Sequence, residues 1–321
     1  MRTPVCDVLG IDAPVMQGSI GPWTNAELPA AVSEAGGLGS IGTALQSAEQ
    51  VLELIDRVRE LTDRPFAVNF TARPFTEEPF AAALTREPAV VSYALGDPGD
   101  LVARAHGVGA IFVQQVHTVE QAYTAAEREV DVIIAQGGEA GGFGSTVGTL
   151  ALVPQVAAEV APLPVLAAGG IADGRGLAAA LILGAQGVNI GTRFLASTEA
   201  GIDESWKRRI AVASSEDAVK VDFADAVFPP APVDGYAVSP RVLHTPFVDE
   251  WNERLDEAVR NPDPLRAEVG DAIAGGHVHE LFPFTGQSTG LIDDVLPAGE
   301  IVRRLVADAE ELLRRAPTLA D

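Results

Sequence analysis

The residues best suited to bind a ligand lie in a glycine-rich stretch, residues 131–144, where a short apolar run ends in Gln136. A second apolar run, further along the chain, ends in Gly169-Gly170, and a third contains Asn189-Ile-Gly-Thr192. Glycine has no Cβ, so a backbone amide beside it can approach a phosphate closely. These three stretches therefore predict a phosphate-binding rim, if the fold brings them together.

The elements that must position these stretches are short apolar runs separated by helical patterns. Several of the runs are continuously apolar, which is typical of parallel strands that are buried on both faces. The eight predicted strands are Val15–Gly18, Leu38–Gly42, Phe66–Phe70, Val90–Leu95, Ala110–Val116, Val132–Gln136, Pro164–Ala168 and Val188–Phe194. Eight strand–helix repeats with short connections favour a TIM (β/α)8 barrel, whose ligands bind at the carboxyl ends of the strands.

The chain after the repeats predicts a cover over this barrel. We expect residues 1–214 to form the barrel and residues 215–290, here called the cover segment, to lie across its mouth, because they are rich in proline and apolar residues. Within that segment, helices are predicted over Trp251–Val259 and Leu265–Ile273. Residues 291–321 contain a strongly amphipathic pattern, Ala298–Arg314, which predicts a final helix that packs back on the barrel.

Composition excludes several classes of function. The net charge is −23 and the only lysines are Lys207 and Lys220, which argues against binding to nucleic acid or to anionic membranes. A single cysteine, Cys6, excludes an internal disulfide and a cysteine-cluster metal site, and we predict no metal. No signal peptide or membrane span is apparent. We expect a cytoplasmic protein with a small-molecule substrate, and a homo-oligomer is compatible with the sequence.

One apparent nucleotide-binding motif is rejected. The segment Gly37-Leu-Gly-Ser-Ile-Gly42 matches the G-x-G-x-x-G fingerprint of dinucleotide-binding folds. That fingerprint requires a strand before the glycines and a helix after them, whereas here a helix precedes them. We interpret this segment as the end of a helix followed by a strand of small residues.

The glycine-rich stretches also carry a family resemblance that covers nearly the whole chain. The sequence resembles the nitronate monooxygenase (2-nitropropane dioxygenase) family, which includes FMN-dependent enoyl-acyl-carrier-protein reductases. The matching segments are Pro14-Val-Met-Gln-Gly18, Ala35-Gly-Gly-Leu-Gly39, Val68-Asn69, Gln136-Gly-Gly-Glu-Ala-Gly-Gly142, Ala167-Ala-Gly-Gly-Ile-Ala-Asp-Gly-Arg-Gly176, Gly191-Thr-Arg-Phe194 and Gly286-Gln-Ser-Thr-Gly290. The resemblance implies an FMN-dependent oxidoreductase.

It also implies roles for individual residues. Asn69 and Gln136 would meet polar edges of the flavin, since an amide can both donate and accept hydrogen bonds. Gly18 and Ser19 would face the ring from the first loop. The residues implied to hold the ribityl chain and the phosphate are Gly141, Gly170, Asn189, Ile190, Gly191 and Thr192.

The sequence departs from the family pattern at Phe143. The family has Glu-Ala-Gly-Gly-His here, and that histidine is the candidate catalytic base in nitronate monooxygenases; this chain has Glu139-Ala-Gly-Gly-Phe143. Phenylalanine cannot act as an acid or a base. His117, after the fifth predicted strand, is a weak candidate for a replacement, or it caps the next helix. Glu139 is a possible acid or a hydrogen-bonding residue. Arg193 could pair with a phosphate or with a carboxylate of the barrel.

Three functions remain open from the sequence. The first is oxidation of alkyl nitronates with O₂ by an FMN enzyme. The second is an NAD(P)H-dependent flavin reductase that acts on an activated C=C bond or a quinone. The third is a barrel that binds FMN or another phosphorylated ligand without turnover.

Overall fold

The computed structural model describes residues 1–73, 75–228, 236 and 238–316. Eight parallel strands form one sheet, which confirms the predicted barrel. They are β1 (Val15–Gln17), β2 (Gly39–Gly42), β3 (Phe66–Thr71), β4 (Val90–Ala94), β5 (Ile111–Val116), β6 (Val132–Gln136), β8 (Val165–Ala168) and β9 (Gly187–Ile190). Their order in the sheet is β1-β9-β8-β6-β5-β4-β3-β2. Three further strands form a second, antiparallel sheet: β7 (Gly142–Gly144), β10 (Ala218–Lys220) and β11 (Ser239–Leu243).

The first and second strands close the barrel. The backbone N–H of Gln17 donates to the carbonyl of Leu38 at 2.8 Å, and the N–H of Leu38 donates to the carbonyl of Val15 at 2.9 Å. On its other side β1 pairs in parallel with β9. The carboxyl ends of all eight strands therefore meet at one rim, where the loops that follow them converge.

Helices alternate with the strands and continue beyond the barrel. They are α1 (Pro4–Leu9), α2 (Glu27–Glu34), α3 (Ala48–Leu61), α4 (Glu77–Leu84), α5 (Leu101–His106), α6 (Val119–Glu127), α7 (Thr149–Glu159), α8 (Gly174–Ile182), α9 (Thr192–Leu195), α10 (Glu204–Ile210), α11 (Ala224–Val227), α12 (Pro246–Glu253), α13 (Leu255–Arg260), α14 (Asp263–Ala274) and α15 (Ala298–Arg315). Across the described ranges, none of these helices combines the length and the apolar character needed to cross a lipid bilayer.

Local sequence explains where the regular helices begin and which face they bury. α3 begins at a capping box, in which the Ser47 hydroxyl accepts from the Gln50 amide and the Gln50 side chain accepts from the Ser47 amide. α15 buries Ile301, Val302 and Leu305 at helical spacing and packs against α8 and α2. The apolar face that the amphipathic sequence pattern predicts for α15 is therefore the face that packs against the barrel helices.

The barrel interior is filled with apolar side chains at its amino-terminal end. α1, which the sequence analysis did not predict, buries Val5, Cys6 and Leu9 in the same cluster as interior strand residues. Those strand residues are Met16, Ala67, Val90, Val113, Val132, Ile134, Leu166 and Ala168. Because this end is filled and closed by α1, open space is left at the opposite end, where the strands finish in polar residues and glycine.

The second sheet connects the barrel to the cover segment. β7 lies in the loop after β6, and it pairs with β11 of the cover segment, with Phe143 opposite Pro240. The Lys220 ammonium group, on β10, donates to the carbonyls of Gly144 and Ser239 and so links all three strands. The cover segment therefore contacts the carboxyl-terminal rim, although its residues 229–235 and 237 lie outside the described residues. The division of the chain at 214/215 and 290/291 stays a prediction.

Some predicted bounds were wrong. The eighth strand ends at Ile190, and the residues predicted to continue it to Phe194 instead form helix α9. The β-branched and aromatic residues of this run favour a strand by propensity, but propensity yields to tertiary context. The predicted helix Trp251–Val259 is two helices, α12 and α13, which meet at Arg254.

Candidate active site

A cavity of about 280 Å³ opens at the carboxyl ends of the barrel strands. Every residue that the sequence analysis assigned to FMN lies in its wall: Gly18, Ser19, Asn69, Gln136, Gly141, Gly170, Asn189, Ile190, Gly191 and Thr192. Phe143 also lines this cavity, whereas His117 does not. The fold therefore brings together residues from six different loops and strand ends, and their assignment to FMN stays a prediction.

One side of the cavity presents backbone N–H groups that have no protein partner. The amides of Gly170, Gly191 and Thr192 donate no hydrogen bond to any other described residue. Gly169 and Gly170 have φ of 103° and 72°, a backbone conformation that glycine adopts far more easily than other residues. A Cβ added to Gly191 would meet no protein atom within 4 Å, so this glycine faces open space. These amides form a cradle for an anion.

Two amide side chains elsewhere in the cavity wall provide a hydrogen-bond donor and an acceptor. Asn69 donates from Nδ2 to the Ser92 hydroxyl at 2.9 Å, which leaves its oxygen as an acceptor. Gln136 Oε1 accepts hydrogen bonds from other side chains, and its Nε2 donates to no described residue. An amide acceptor, an amide donor and an anion cradle in one cavity match a flavin ring with a phosphate tail. The residues therefore fit FMN.

The orientation of the Gln136 amide is set from behind the cavity. Its Oε1 accepts from Gln115 Nε2 at 3.2 Å and lies 2.7 Å from His117 Nε2. Because Oε1 can only accept, the His117 proton must be on Nε2, and His117 Nδ1 is buried without a partner. His117 therefore lies behind Gln115 and Gln136, which line the cavity, and does not line it itself. Its own amide donates to Gln121 in α6, and Thr118, not His117, caps that helix.

The pKa of His117 gives a prediction about stability. This pKa is lowered from 6.5 to about 4, mainly because the imidazole is buried. The hydrogen bond to Gln136 raises the pKa, and the positive charge of Lys220 lowers it. Below pH 6.5 His117 binds a proton in the unfolded chain but stays neutral in the folded protein. The free energy of unfolding therefore decreases as the pH falls from 6.5 to about 4. We expect wild type to lose about 2 kcal/mol more unfolding free energy than His117→Gln between pH 7 and pH 5. Urea titrations at the two pH values measure this, and equal losses would contradict it.

Aromatic rings form the outer wall of the cavity. The Phe143 ring lies 5.2 Å from the Phe228 ring, nearly perpendicular to it, and 6.0 Å from the Phe284 ring. Trp23 packs against Phe284 at 6.0 Å and against Trp206 at 5.0 Å. Phe284 belongs to the cover segment and Trp23 to the loop after β1, so two distant segments build this wall. It is suited to the apolar body of a substrate.

The wall lacks a general base. Of the described residues that line the cavity, none is Asp, Glu, His, Lys or Cys, and the ionisable ones are Arg73 and Tyr93. Burial raises the pKa of Tyr93 to about 12, so its hydroxyl stays protonated at neutral pH. Tyr93 also packs outward, against Phe75 and Phe112. The cavity can therefore hold an anion, but it offers no side chain that would remove a proton near pH 7.

Two other residues from the sequence analysis have structural partners. The Glu139 carboxylate accepts from the backbone and hydroxyl of Thr149 at 2.8–3.0 Å, at the first turn of α7. Arg193 donates to Asp294 at 2.7 Å and to the carbonyls of Ala196 and Asp294.

The Thr192 hydroxyl accepts from the Gly286 amide at 2.9 Å, which attaches the cover segment to the phosphate-binding side.

The sequence analysis missed Arg73, Trp23 and Phe284 as cavity residues. Arg73 had a usable signal, because it follows β3 at the rim where other strand ends supply ligand-binding residues. Trp23 and Phe284 had none that we can identify, since their contact joins segments far apart in the chain.

The chain is similar to known proteins over nearly its whole length. The family model described as nitronate monooxygenase matches residues 2–87 and 77–308. An octahydroindene carboxyl-CoA dehydrogenase of Mycobacterium tuberculosis is 31% identical, over 100% of this chain and 99% of its own. A probable nitronate monooxygenase of Staphylococcus saprophyticus is also 31% identical, over 98% and 99%. A structure of FabK from Thermotoga maritima superposes with a TM-score of 0.90 at 32% identity, covering 99% of both chains.

Proposed function

Because the chain belongs to the nitronate monooxygenase family, we propose that it is an FMN-dependent oxidoreductase that oxidises pre-formed alkyl nitronates with O₂. The observation that carries this proposal is the cavity wall, which has a cation and apolar rings but no general base among its described residues. A nitronate arrives already deprotonated and needs no base. A neutral nitroalkane must first lose a proton from carbon, and nothing in this wall is suited to remove it.

Each group of residues has a defined task in this proposal. FMN, when bound, supplies the redox chemistry. The amides of Gly170, Gly191 and Thr192 would bind its phosphate, and Asn69 and Gln136 would bind polar atoms of its ring. Gln115 and His117 both hydrogen-bond to Gln136 Oε1 and so fix the orientation of this amide, with its Nε2 directed away from them. Phe143 and the neighbouring rings exclude water and bind the apolar part of the substrate.

A second candidate is an NAD(P)H-dependent flavin reductase that acts on an activated C=C bond or a quinone. The aromatic wall of Trp23, Phe143 and Phe284 favours it, since flat conjugated molecules stack well on such rings. The similarity to a protein named as a carboxyl-CoA dehydrogenase also supports a redox reaction on an organic substrate other than a nitronate.

An anaerobic reduction experiment separates these functions. We expect the protein, saturated with FMN, to lose its flavin absorbance on addition of propyl-1-nitronate, and to respond slowly to NADH or NADPH. Admission of O₂ should then restore the absorbance and give turnover. Rapid loss of absorbance with a nicotinamide and none with the nitronate would replace the first proposal with the second. If the protein binds FMN but its flavin absorbance changes with neither the nitronate nor a nicotinamide, it would be a barrel that binds FMN without turnover.

A further inference from the structure

The cavity contains a buried cation that has no hydrogen-bond partner among the described residues. Arg73 lines the cavity, and its side chain is only 4% exposed. No N–H of its guanidinium donates to a described residue, and its Nε is fully buried. Within the described ranges, the carboxylate nearest to it is that of Asp225, at 4.0 Å from Nη2, on a side chain that is 88% exposed. Its other neighbour is the Phe143 ring, whose centre lies 5.7 Å from the guanidinium carbon.

Other buried cations of the described chain do have close partners. Lys207, with 4% of its side chain exposed, pairs with Glu204 at 2.8 Å, and Arg193, with 7% exposed, pairs with Asp294 at 2.7 Å. Burial without a partner costs several kcal/mol for an ion. Burial does lower the pKa of Arg73, but a guanidinium remains protonated in proteins. Arg73 is thus a buried charge that no described residue contacts at hydrogen-bond distance, and its one described ion-pair partner, Asp225, is 4.0 Å away and exposed.

We propose that Arg73 binds a planar oxyanion, a nitronate or a carboxylate, carried by a substrate whose remaining part is apolar. The guanidinium presents a flat fork of donors that matches two coplanar oxygens. The surrounding wall supplies aromatic contacts and no competing carboxylate. In a protein of net charge −23, this guanidinium also gives the cavity a local positive charge that an anion needs. The proposal rests on the proposed function, because it takes this cavity as the substrate site.

Binding of matched probes tests Arg73 without catalysis. Hexanoate and hexanamide have the same chain, but only hexanoate is an anion. Titration calorimetry on the FMN-saturated protein should show that Arg73→Met weakens hexanoate binding by about ten- to a hundredfold, and Arg73→Lys by less. Hexanamide affinity should not change. The control is Arg254→Met, which removes the same charge and a similar ring contact, with Trp251, away from the cavity.

A kinetic arm identifies which oxyanion Arg73 holds. With propyl-1-nitronate, Arg73→Met should raise KM about tenfold or more and change kcat less, if the guanidinium binds the nitronate itself. An unchanged KM with weakened hexanoate binding assigns Arg73 to a carboxylate elsewhere on the substrate. Normal nitronate turnover and unchanged hexanoate binding in Arg73→Met would overturn the inference and leave the proposed function intact. Hexanoate binding that depends on Arg73, in a protein that does not turn over the nitronate, would support the inference about Arg73 and contradict the proposed function.

Thermal unfolding separates a binding role from a structural one. Since Arg73→Met removes a buried charge that no described residue contacts at hydrogen-bond distance, the ligand-free variant should melt at the same temperature as wild type or higher. A large drop in Tm would show that Arg73 stabilises the fold and would contradict a binding role.

Discussion

A Gly191→Asp variant should fold normally and purify without FMN. The backbone at Gly191, with φ of −98° and ψ of −68°, is accessible to any L-residue, and an added Cβ meets no protein atom within 4 Å. The new carboxylate would lie among the amides that we assign to the phosphate. Two like charges about 4 Å apart repel by about 4 kcal/mol at an effective dielectric constant of 20. FMN affinity should therefore fall about a thousandfold, measured by quenching of FMN fluorescence on titration with protein.

An isosteric variant separates charge from size in this test. Gly191→Asn adds almost the same volume without the charge, so it should retain FMN much better than Gly191→Asp. Equal affinity of wild type and Gly191→Asp would exclude this rim as the phosphate site. Gly170 is less suitable for the test, because its φ of 72° would strain any side chain whether or not a ligand binds.

Phe143→His should give the protein activity on neutral nitroalkanes. Imidazole is smaller than the phenyl ring it replaces, so the pocket between Phe228 and Phe284 can hold it. The Arg73 guanidinium and burial would both favour the neutral imidazole, which is the form that accepts a proton. A positioned general base contributes about 10²–10⁴-fold. We expect turnover of nitropropane relative to propyl-1-nitronate to rise by at least about a hundredfold, measured as O₂ consumption.

A polar variant without a basic nitrogen controls for the change in shape. Phe143→Gln makes the wall polar and provides no general base, so it should not raise the relative rate on the neutral nitroalkane. If wild type already oxidises the neutral and ionised forms equally fast, a base outside the described wall is at work and the interpretation of Phe143 is wrong.

The barrel was predictable because its signals are local and repeated. Each strand is a short apolar run, each intervening helix has its own periodicity or cap, and eight repeats leave few alternative closures. α3 shows how local such signals are, since its capping box and its buried stripe lie entirely within residues 47–61. The second sheet escaped prediction because β7, β10 and β11 are three- to five-residue strands whose pairing joins distant segments.

The sequence by itself determined which residues meet at the rim. In a parallel barrel every strand end points to the same side, so a polar or glycine residue at a strand end is placed by topology alone. This is why all ten residues assigned to FMN lie in one cavity.

Only the tertiary structure decided the environment of each side chain. It placed His117 behind Gln136 and buried Arg73 beside Phe143, with no close partner among the residues that the structure describes. Burial, partners and pKa depend on atoms that other segments bring within a few ångströms, and no local pattern encodes those distances. The sequence therefore indicated the candidate site, and the fold determined that the described part of its wall carries a cation and no general base.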